Sequence, residues 1–182
     1  MTLKATIYKA DLNIADIDRH YYADHALTIA QHPSETDVRM MLRVLAFALH
    51  AHENLEFGRG LSTGDEPDLW HKDLTGRIEL WIDLGQPEER RLRKASGRAH
   101  QVVVYTYGGR GMKPWWEQNR DNFARIDNLR VLNVPTESSE ALARMAKRTM
   151  LLQCTIQDAQ VWLSDGKHRV EVVMDILQQG EP

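Results

Sequence analysis

The segment between residues 77 and 107 has the pattern of a strand, a helix and a second strand, and this pattern constrains the fold most. Residues 77–85 alternate between apolar and other side chains, as a half-buried strand does. Residues 87–100 have the spacing of a helix, with proline in the first turn, where its missing N–H does no harm. Residues 101–107 are a continuous apolar run, typical of a strand buried on both faces. We therefore expect an α/β fold.

Helices and strands alternate in the same way over residues 35–135, whereas the two ends of the chain have the pattern of antiparallel β-structure. The other elements predicted in the middle and after it are a helix from the N-cap Ser34 to about residue 52, a short strand over 55–58, a helix over 114–124, a strand over 129–134 and a helix from Ser138 or Ser139 to 147. Residues 1–31 give two strands and residues 149–177 give three, with turns at 157–159 and 165–167.

No linker rich in Pro, Gly or Ser divides the 182 residues, so we expect a single domain, residues 1–182. Its core would be a mixed sheet flanked by helices, and the two ends of the chain would form a second, antiparallel sheet. No stretch approaches the roughly 20 apolar residues of a membrane span, and the N-terminus lacks the pattern of a signal peptide. With the single cysteine, Cys154, these features predict a cytoplasmic protein without a membrane partner.

The strand at residues 78–84 carries the most informative side chains. Its isoleucine and leucine residues share one face, which must be core, and Glu79, Trp81 and Asp83 share the other. Carboxylates on one face repel each other, and a divalent cation with oxygen ligands relieves that repulsion best. The formal net charge of -3 does not attract nucleic acid, so any such surface would have to be a local patch.

Two further carboxylates are candidates for the same site. Asp68 follows a proline shortly before the Glu79 strand, and a hairpin-like return would place it beside Glu79. Glu53 falls in the last predicted turn of the first helix. A cation held by such carboxylates could lower the pKa of a bound water and stabilise charge on a phosphoryl oxygen. We predict a possible Mg²⁺ or Mn²⁺ site formed by Asp68, Glu79, Asp83 and Glu53.

The order of these features resembles the PD-(D/E)XK phosphodiesterases, which have the restriction-endonuclease-like fold. A helix with Glu53 is followed by Pro67-Asp68, by Glu79 on a strand, by another helix and by an apolar strand. The resemblance implies that Asp68 and Glu79 ligate Mg²⁺ or Mn²⁺. It also implies a lysine two residues after Glu79 that positions the attacking water. Trp81 occupies that position here, and its indole N–H is a neutral donor.

From end to end, the chain also resembles the YaeQ family of bacterial proteins. The segments that carry this resemblance are residues 3–10 (LKATIYKA), 32–36 (HPSET), 65–68 (DEPD), 79–87 (ELWIDLGQP), 93–95 (RKA) and 155–158 (TIQD). The resemblance implies a variant PD-(D/E)XK core and a second β-sheet, without an established reaction.

A cation on the helix after the acidic strand could replace the missing lysine. Arg91, Lys94 and Arg98 are spaced i, i+3, i+7 and share a face. Some related folds move the catalytic lysine onto this helix, so the resemblance makes Lys94 the predicted substitute, with Arg91 and Arg98 as nucleic-acid contacts. Gln86, at the end of the strand, could orient a water or a metal-bound ligand.

Two functions remain open at this point. The first is a Mg²⁺- or Mn²⁺-dependent phosphodiesterase that acts on nucleic acid. The second is a catalytically inactive protein of the same fold that binds nucleic acid or a protein partner. Simpler interpretations also stand for the residues themselves. Glu79 and Asp83 can pair with Arg77 or with the arginine-rich helix, and that helix can be a charged surface balanced by its own glutamates.

Overall fold

The computed structural model describes residues 4–59 and 64–181, and within them the chain forms two mixed sheets and four helices. In chain order, the elements are β1 (Thr6–Asp16), β2 (Tyr21–Gln31), α1 (Asp37–Leu49), β3 (Leu55–Phe57), β4 (Leu69–Lys72), β5 (Ile78–Leu84), α2 (Glu89–Arg98), β6 (Ala99–Thr106), α3 (Gly109–Phe123), β7 (Leu129–Asn133), α4 (Thr136–Ala143), β8 (Thr149–Gln157), β9 (Gln160–Ser164), β10 (Arg169–Val172) and β11 (Asp175–Gln178). None of these helices is long and apolar enough to cross a membrane.

The chain divides into two compact units. One comprises the described residues up to Ala48 together with Glu137–Val173, and the other comprises Leu49–Thr136 with the residues from Met174 onward. Each unit contains one sheet, and the helix–strand alternation predicted for the middle of the chain falls mainly in the second unit.

The sheet of the first unit has the strand order β10-β9-β8-β1-β2. Both ends of the chain contribute to it, as predicted, but the sheet is mixed rather than antiparallel, because β1 and β8 run parallel. Parallel neighbours need a long connection, and most of the chain lies between these two strands. The predicted turns at residues 157–159 and 165–167 are confirmed as the connections of β8 to β9 and of β9 to β10.

Helix α1 begins later and ends earlier than predicted. Its N-cap is Thr36, whose Oγ1 accepts a hydrogen bond from the Arg39 N–H at 3.1 Å, whereas Ser34 bonds to His32. The helix ends at Leu49, so Glu53 lies in an exposed turn after it, and the placement of Glu53 in the last helical turn was wrong.

The sheet of the second unit has the order β11-β7-β6-β5-β4-β3, with β5, β6 and β7 parallel and antiparallel strands on both sides. Helix α2 connects β5 to β6, which confirms the predicted strand, helix and strand. The buried residues that pack between this sheet and α2 and α3 include Trp81, Leu92, Ala95, Val102 and Phe123. Of β5, only Glu79 is not fully buried, so both faces of this strand are covered.

The last strand, β11, was missed by the prediction of three tail strands in one sheet. It pairs antiparallel with β7 in the sheet of the second unit. Gln178 fixes it there, because its Nε2 donates to the carbonyls of Phe123 and Leu129 at 2.8 and 3.0 Å.

Two helix boundaries also differ from prediction. Helix α3 begins at Gly109, five residues before Pro114, after Gly108 adopts a φ of 81° that glycine tolerates best. Helix α4 is Thr136–Ala143, and so it begins before Ser138 and ends before residue 147.

Candidate functional site

Asp68 lies beside the carboxyl end of β5. Its N–H donates to the carbonyl of Ile82 at 3.0 Å, and its Oδ2 accepts a hydrogen bond from the N–H of Leu84 at 2.8 Å. Because Leu69 pairs with Ile82, Asp68 is the neighbour of Asp83 and not of Glu79. The predicted hairpin return is therefore confirmed, but its register places Asp68 four residues further along β5, a distance of about 13 Å from Glu79 along the strand.

Asp83 is buried and bound by an arginine of α2. Its side chain is 3% exposed, and Arg91 donates to both carboxylate oxygens, with Nε 2.8 Å from Oδ2 and Nη2 3.0 Å from Oδ1. Arg91 also donates to the carbonyls of Gly64 and Glu66 at 3.1 and 2.8 Å. A bidentate pair of this kind occupies one lone pair on each oxygen and compensates the carboxylate charge, so it competes with a metal ion for Asp83. The interpretation in which Asp83 pairs with the arginine-rich helix describes this geometry.

Trp81 lies between the guanidinium groups of α2 and the apolar core. It is 1% exposed, and its ring lies 5.6 Å from the Arg91 guanidinium and 5.3 Å from that of Arg98. Trp70 of the neighbouring strand contacts it edge to face, with 6.0 Å between ring centroids. The position of the expected strand lysine is thus filled by a buried aromatic side chain.

Glu79 lies near two histidines that the sequence analysis did not connect with it. The rings of His52 and His71 stack 4.6 Å apart. Burial lowers the pKa of His71, and His52 lowers it further, whereas the charge of Glu79 raises it. No spacing in the sequence predicts this pair, because it forms through the pairing of β3 with β4, in which Leu55 lies opposite His71.

The exposed cations of α2 contact the loop that precedes Asp68. Lys94 Nζ lies 3.5 Å from Asp65 Oδ1, and Arg98 donates to the Asp65 carbonyl at 3.1 Å. The structure therefore brings Lys94 to Asp65, and its predicted role beside Asp68 and Glu79 stays a prediction. Gln86 donates to Thr106 Oγ1 at 3.2 Å and to the carbonyl of Tyr107, which ties the end of β5 to the end of β6.

A cavity of about 400 Å³ lies on this face of α2. We call it the α2 cavity, and its walls include Trp81, Glu88, Arg90, Arg91, Lys94 and Arg98. The arginine-rich pattern of the helix predicted this cationic face. A large aromatic side chain between two carboxylates on one strand face also suggests a covered face or a pocket, and Trp81 forms part of this cavity wall.

Comparisons with known proteins place the chain in a family. The sequence model described as "YaeQ protein" matches residues 1–174. The chain belongs to the YaeQ family. The predicted family resemblance is thus confirmed, and the restriction-endonuclease-like relationship stays a prediction.

Relatives and solved structures of the YaeQ family are similar to this chain over nearly their whole length. YaeQ of Escherichia coli (strain K12) is 48% identical over 98% of this chain and 99% of its own, and YaeQ of Salmonella typhi is 47% identical over the same shares. The crystal structure of YaeQ from Xanthomonas axonopodis pv. citri has a TM-score of 0.93 and 48% identity over 97% of this chain and 99% of its own. That of YaeQ from Pseudomonas syringae has a TM-score of 0.92 and 37% identity over 97% of each chain.

The predicted metal ligands do not form one set in this YaeQ family chain. Within residues 4–59 and 64–181, no group of three or more His, Cys, Asp or Glu side chains is placed to hold a metal ion. Asp68 and Asp83 are neighbours, Glu79 lies further along β5, and Glu53 lies after α1. As placed, these residues do not fit a Mg²⁺ or Mn²⁺ site, and we derive no metal-dependent step from them.

Proposed function

We propose that this chain binds nucleic acid through phosphate contacts from α2 and that the carboxylates of β5 serve its structure. The observation that carries this proposal is the bidentate pairing of Arg91 with the buried Asp83. This pair holds the carboxylate opposite Asp68 in an ion pair, and the exposed cations Arg90, Lys94 and Arg98 of α2 face outward. In this proposal, β5 is the counterpart of the acidic strand in the PD-(D/E)XK enzymes that the sequence resembles. Here this strand supports α2, the helix that binds nucleic acid.

The charge of α2 supports a phosphate-binding role. Arg90, Lys94 and Arg98 are exposed along one part of the helix, and only Lys94 forms an ion pair with a described residue, Asp65. Arg98 donates to a neutral carbonyl and so keeps its charge. Since the whole chain carries a formal net charge of -3, this local patch is what attracts a polyanion.

The alternative is a Mg²⁺- or Mn²⁺-dependent phosphodiesterase that acts on nucleic acid. The specific observation in its favour is the adjacency of Asp68 and Asp83 at the carboxyl end of β5. It requires Arg91 to release Asp83 before that carboxylate can bind a cation.

The binding proposal is tested by fluorescence anisotropy with labelled single-stranded and double-stranded DNA and RNA. The double variant Arg90→Gln/Arg98→Gln should weaken binding and lower the slope of log K against log [salt] by about 1 for each phosphate that the variant no longer neutralises. The matched control is Arg144→Gln/Lys147→Gln, which removes two exposed cations from the other unit. Equally weakened binding in both double variants, or no binding by the wild type, would contradict the proposal.

The alternative is tested with the same oligonucleotides and added Mn²⁺ or Mg²⁺. Cleavage that is abolished in Asp68→Asn would establish the phosphodiesterase and assign it to the carboxyl end of β5. Cleavage that persists in Asp68→Asn would reject this site. Binding without cleavage under either metal agrees with the proposed function.

A further inference from the structure

Strand β2 lies at one edge of the sheet of the first unit and is unlike the other edge strands. Among the described strands, the edges are β2 and β10 in one sheet and β3 and β11 in the other. The strands β3, β10 and β11 have three or four residues, whereas β2 has eleven. Short strands, bulges, prolines and lysines protect sheet edges from pairing with other chains. The sequence of β2, YYADHALTIAQ, contains no proline or lysine, and the strand pairs with β1 without a bulge.

The backbone groups that point outward from β2 follow from the pairing of β1. The Lys9 N–H donates to the carbonyl of Arg148, just before β8, at 2.9 Å, so the odd-numbered residues of β1 bond to β8 and the even-numbered residues bond to β2. The even-numbered residues of β1 lie opposite the odd-numbered residues of β2. The even-numbered residues of β2 therefore direct their N–H and C=O groups away from the sheet. The carbonyl of Ala30 agrees with this, because it accepts a hydrogen bond from Arg43 Nη2 at 3.0 Å.

The edge of β2 is open before Ala30. No residue in the described ranges forms a hydrogen bond with the outward backbone groups of Tyr22, Asp24, Ala26 and Thr28. The side chains of these four residues are exposed as well, and that of Tyr22 is 60% exposed. A regular row of N–H and C=O groups without partners is a template for a strand of another chain.

The charge pattern of this edge suits a second copy of the chain. Among the even-numbered residues of β2, only Asp24 carries a charge. In an antiparallel pair of two β2 strands centred on Ala26, Asp24 lies opposite Thr28 of the second copy. The two Asp24 carboxylates are then about 13 Å apart along the strands, so they do not oppose the pairing.

The neighbouring registers fit less well. A register centred on His25 places Asp24 opposite Ala26 and makes the two Asp24 carboxylates diagonal neighbours, which repel each other. A register centred on Leu27 leaves Tyr22 beyond the end of the ladder. The register centred on Ala26 uses the open edge and keeps the charges apart.

We infer that β2 pairs with β2 of a second copy in an antiparallel ladder centred on Ala26, so that the chain forms a two-fold symmetric dimer. This inference goes beyond nucleic-acid binding and does not depend on it. The pairing joins two five-stranded sheets into one, and both of its outer edges are then β10. Because β10 has four residues and carries Arg169 and Glu171, these edges are protected and the assembly stops at two copies.

The first test places a charge at Thr28, opposite Asp24 of the second copy, and measures the dissociation constant of the dimer by sedimentation velocity. Thr28→Lys should tighten the dimer and Thr28→Asp should weaken it, each by about two- to thirtyfold, because every dimer contains this pair twice. Within one chain, Lys9 lies opposite Thr28, so an effect on the stability of the single chain would have the reverse order. The matched controls are Gln153→Lys and Gln153→Asp, which change an exposed residue of β8, away from the edge, and should leave the dissociation constant unchanged.

Amide hydrogen exchange, followed by nuclear magnetic resonance, locates the interface. In the wild-type dimer, the N–H groups of Asp24, Ala26 and Thr28 should exchange slowly, and in dilute Thr28→Asp, which is mostly monomeric, they should exchange rapidly. The N–H groups of His25 and Leu27 point toward β1 and should stay protected in both proteins, which provides an internal control.

A second variant, Ala26→Pro, removes the outward N–H at the centre of the ladder, at an edge position where a strand tolerates proline. It should keep the circular dichroism spectrum of the wild type and sediment as a monomer. A wild type that is monomeric at every accessible concentration would overturn the inference, and so would a dimer in which the N–H groups of Asp24, Ala26 and Thr28 exchange rapidly. Protection of these groups only in a complex with a different protein would assign the edge to that partner and reject the pairing of two copies.

Discussion

At the scale of single residues, Asp83 shows how a buried carboxylate is matched by a cation from another element. It is 2% exposed, and Arg91 supplies both hydrogen bonds and charge from the next element of the chain. Removing one partner of a buried pair leaves an uncompensated charge in the core.

Replacing Arg91 with methionine should therefore destabilise the fold by about 3 kcal/mol, the lower end for buried pairs, because the arginine itself is partly exposed. Urea unfolding followed by circular dichroism measures this decrease. The control is Arg93→Met, which removes an arginine of the same helix whose partner Glu89 is also solvent-accessible, and should change the stability by less than about 0.5 kcal/mol. A similar small decrease for both variants would mean that Asp83 does not depend on Arg91.

Cys154 is the single cysteine of the chain, and burial raises the pKa of its thiol to about 12, with the charge of Asp16 as a further cause. The reactive thiolate is therefore nearly absent at neutral pH. We expect no reaction with a thiol reagent such as dithionitrobenzoate at about pH 8 in the native state and one thiol per chain after unfolding in guanidinium. Rapid reaction of the native protein would show that β8 opens readily.

At the scale of elements, the turn between β9 and β10 depends on one carboxylate. Asp165 accepts hydrogen bonds from the N–H groups of His168 and Lys167 at 2.6 and 2.9 Å. The bond from His168 is the largest cause that lowers the pKa of Asp165 from 3.8 to about 2.

A carboxylate whose pKa is lowered by folding stabilises the fold above its unfolded pKa, and this contribution is lost as the pH falls through the folded value. The stability difference between wild type and Asp165→Asn should thus be constant from neutral pH to about pH 4 and should shrink between about pH 4 and pH 2. Thermal unfolding of both proteins across this range measures it. A difference that does not change with pH would contradict the assignment.

Helix α2 contains a glycine that can be replaced at no steric cost. A Cβ at Gly97 would meet nothing within 4 Å, and alanine restricts the unfolded chain more than glycine does. Gly97→Ala should stabilise the protein by about 0.5–1 kcal/mol, measured as a rise in the thermal midpoint. In Gly58→Ala, by contrast, the new Cβ would lie 1.9 Å from the Pro67 carbonyl oxygen, and this control variant should be destabilised.

The types of most elements could be predicted from the local sequence, whereas the ends of helices and the registers of strands could not. Alternation and helical spacing predicted β5, α2 and β6 because they report burial on one or both faces. The end of α1 before Glu53, and the neighbour of Asp68 on β5, depend on contacts that no local pattern encodes. A bulge between His71 and Lys72 shifts the register of β4 against β5, and a shift of this kind cannot be read from alternation.

At the scale of the whole molecule, the elements that form the candidate site could be predicted from the sequence, but the contacts between them could not. The sequence identified the acidic strand, the arginine helix and the tryptophan at the lysine position. It offered the pairing of Asp83 with the arginine helix as one of several interpretations and could not choose Arg91, because the pair joins two elements and forms only once α2 is packed on β5. Nor could it show that the buried N–H of Trp81 has no hydrogen-bond partner among the described residues, which is a property of the packed core.

The short C-terminal strand β11 has a protective consequence for the whole chain. It covers the outer side of β7, whose Leu129 and Val131 are fully buried. A chain that stops after residue 174 would present β7 as an open, apolar edge, which is a template for pairing with other chains. We expect this truncated protein to self-associate in size-exclusion chromatography, whereas a chain that stops after Gln178 and keeps β11 should elute as the full-length protein does. We therefore expect β11 to prevent aggregation by keeping the edge of β7 paired.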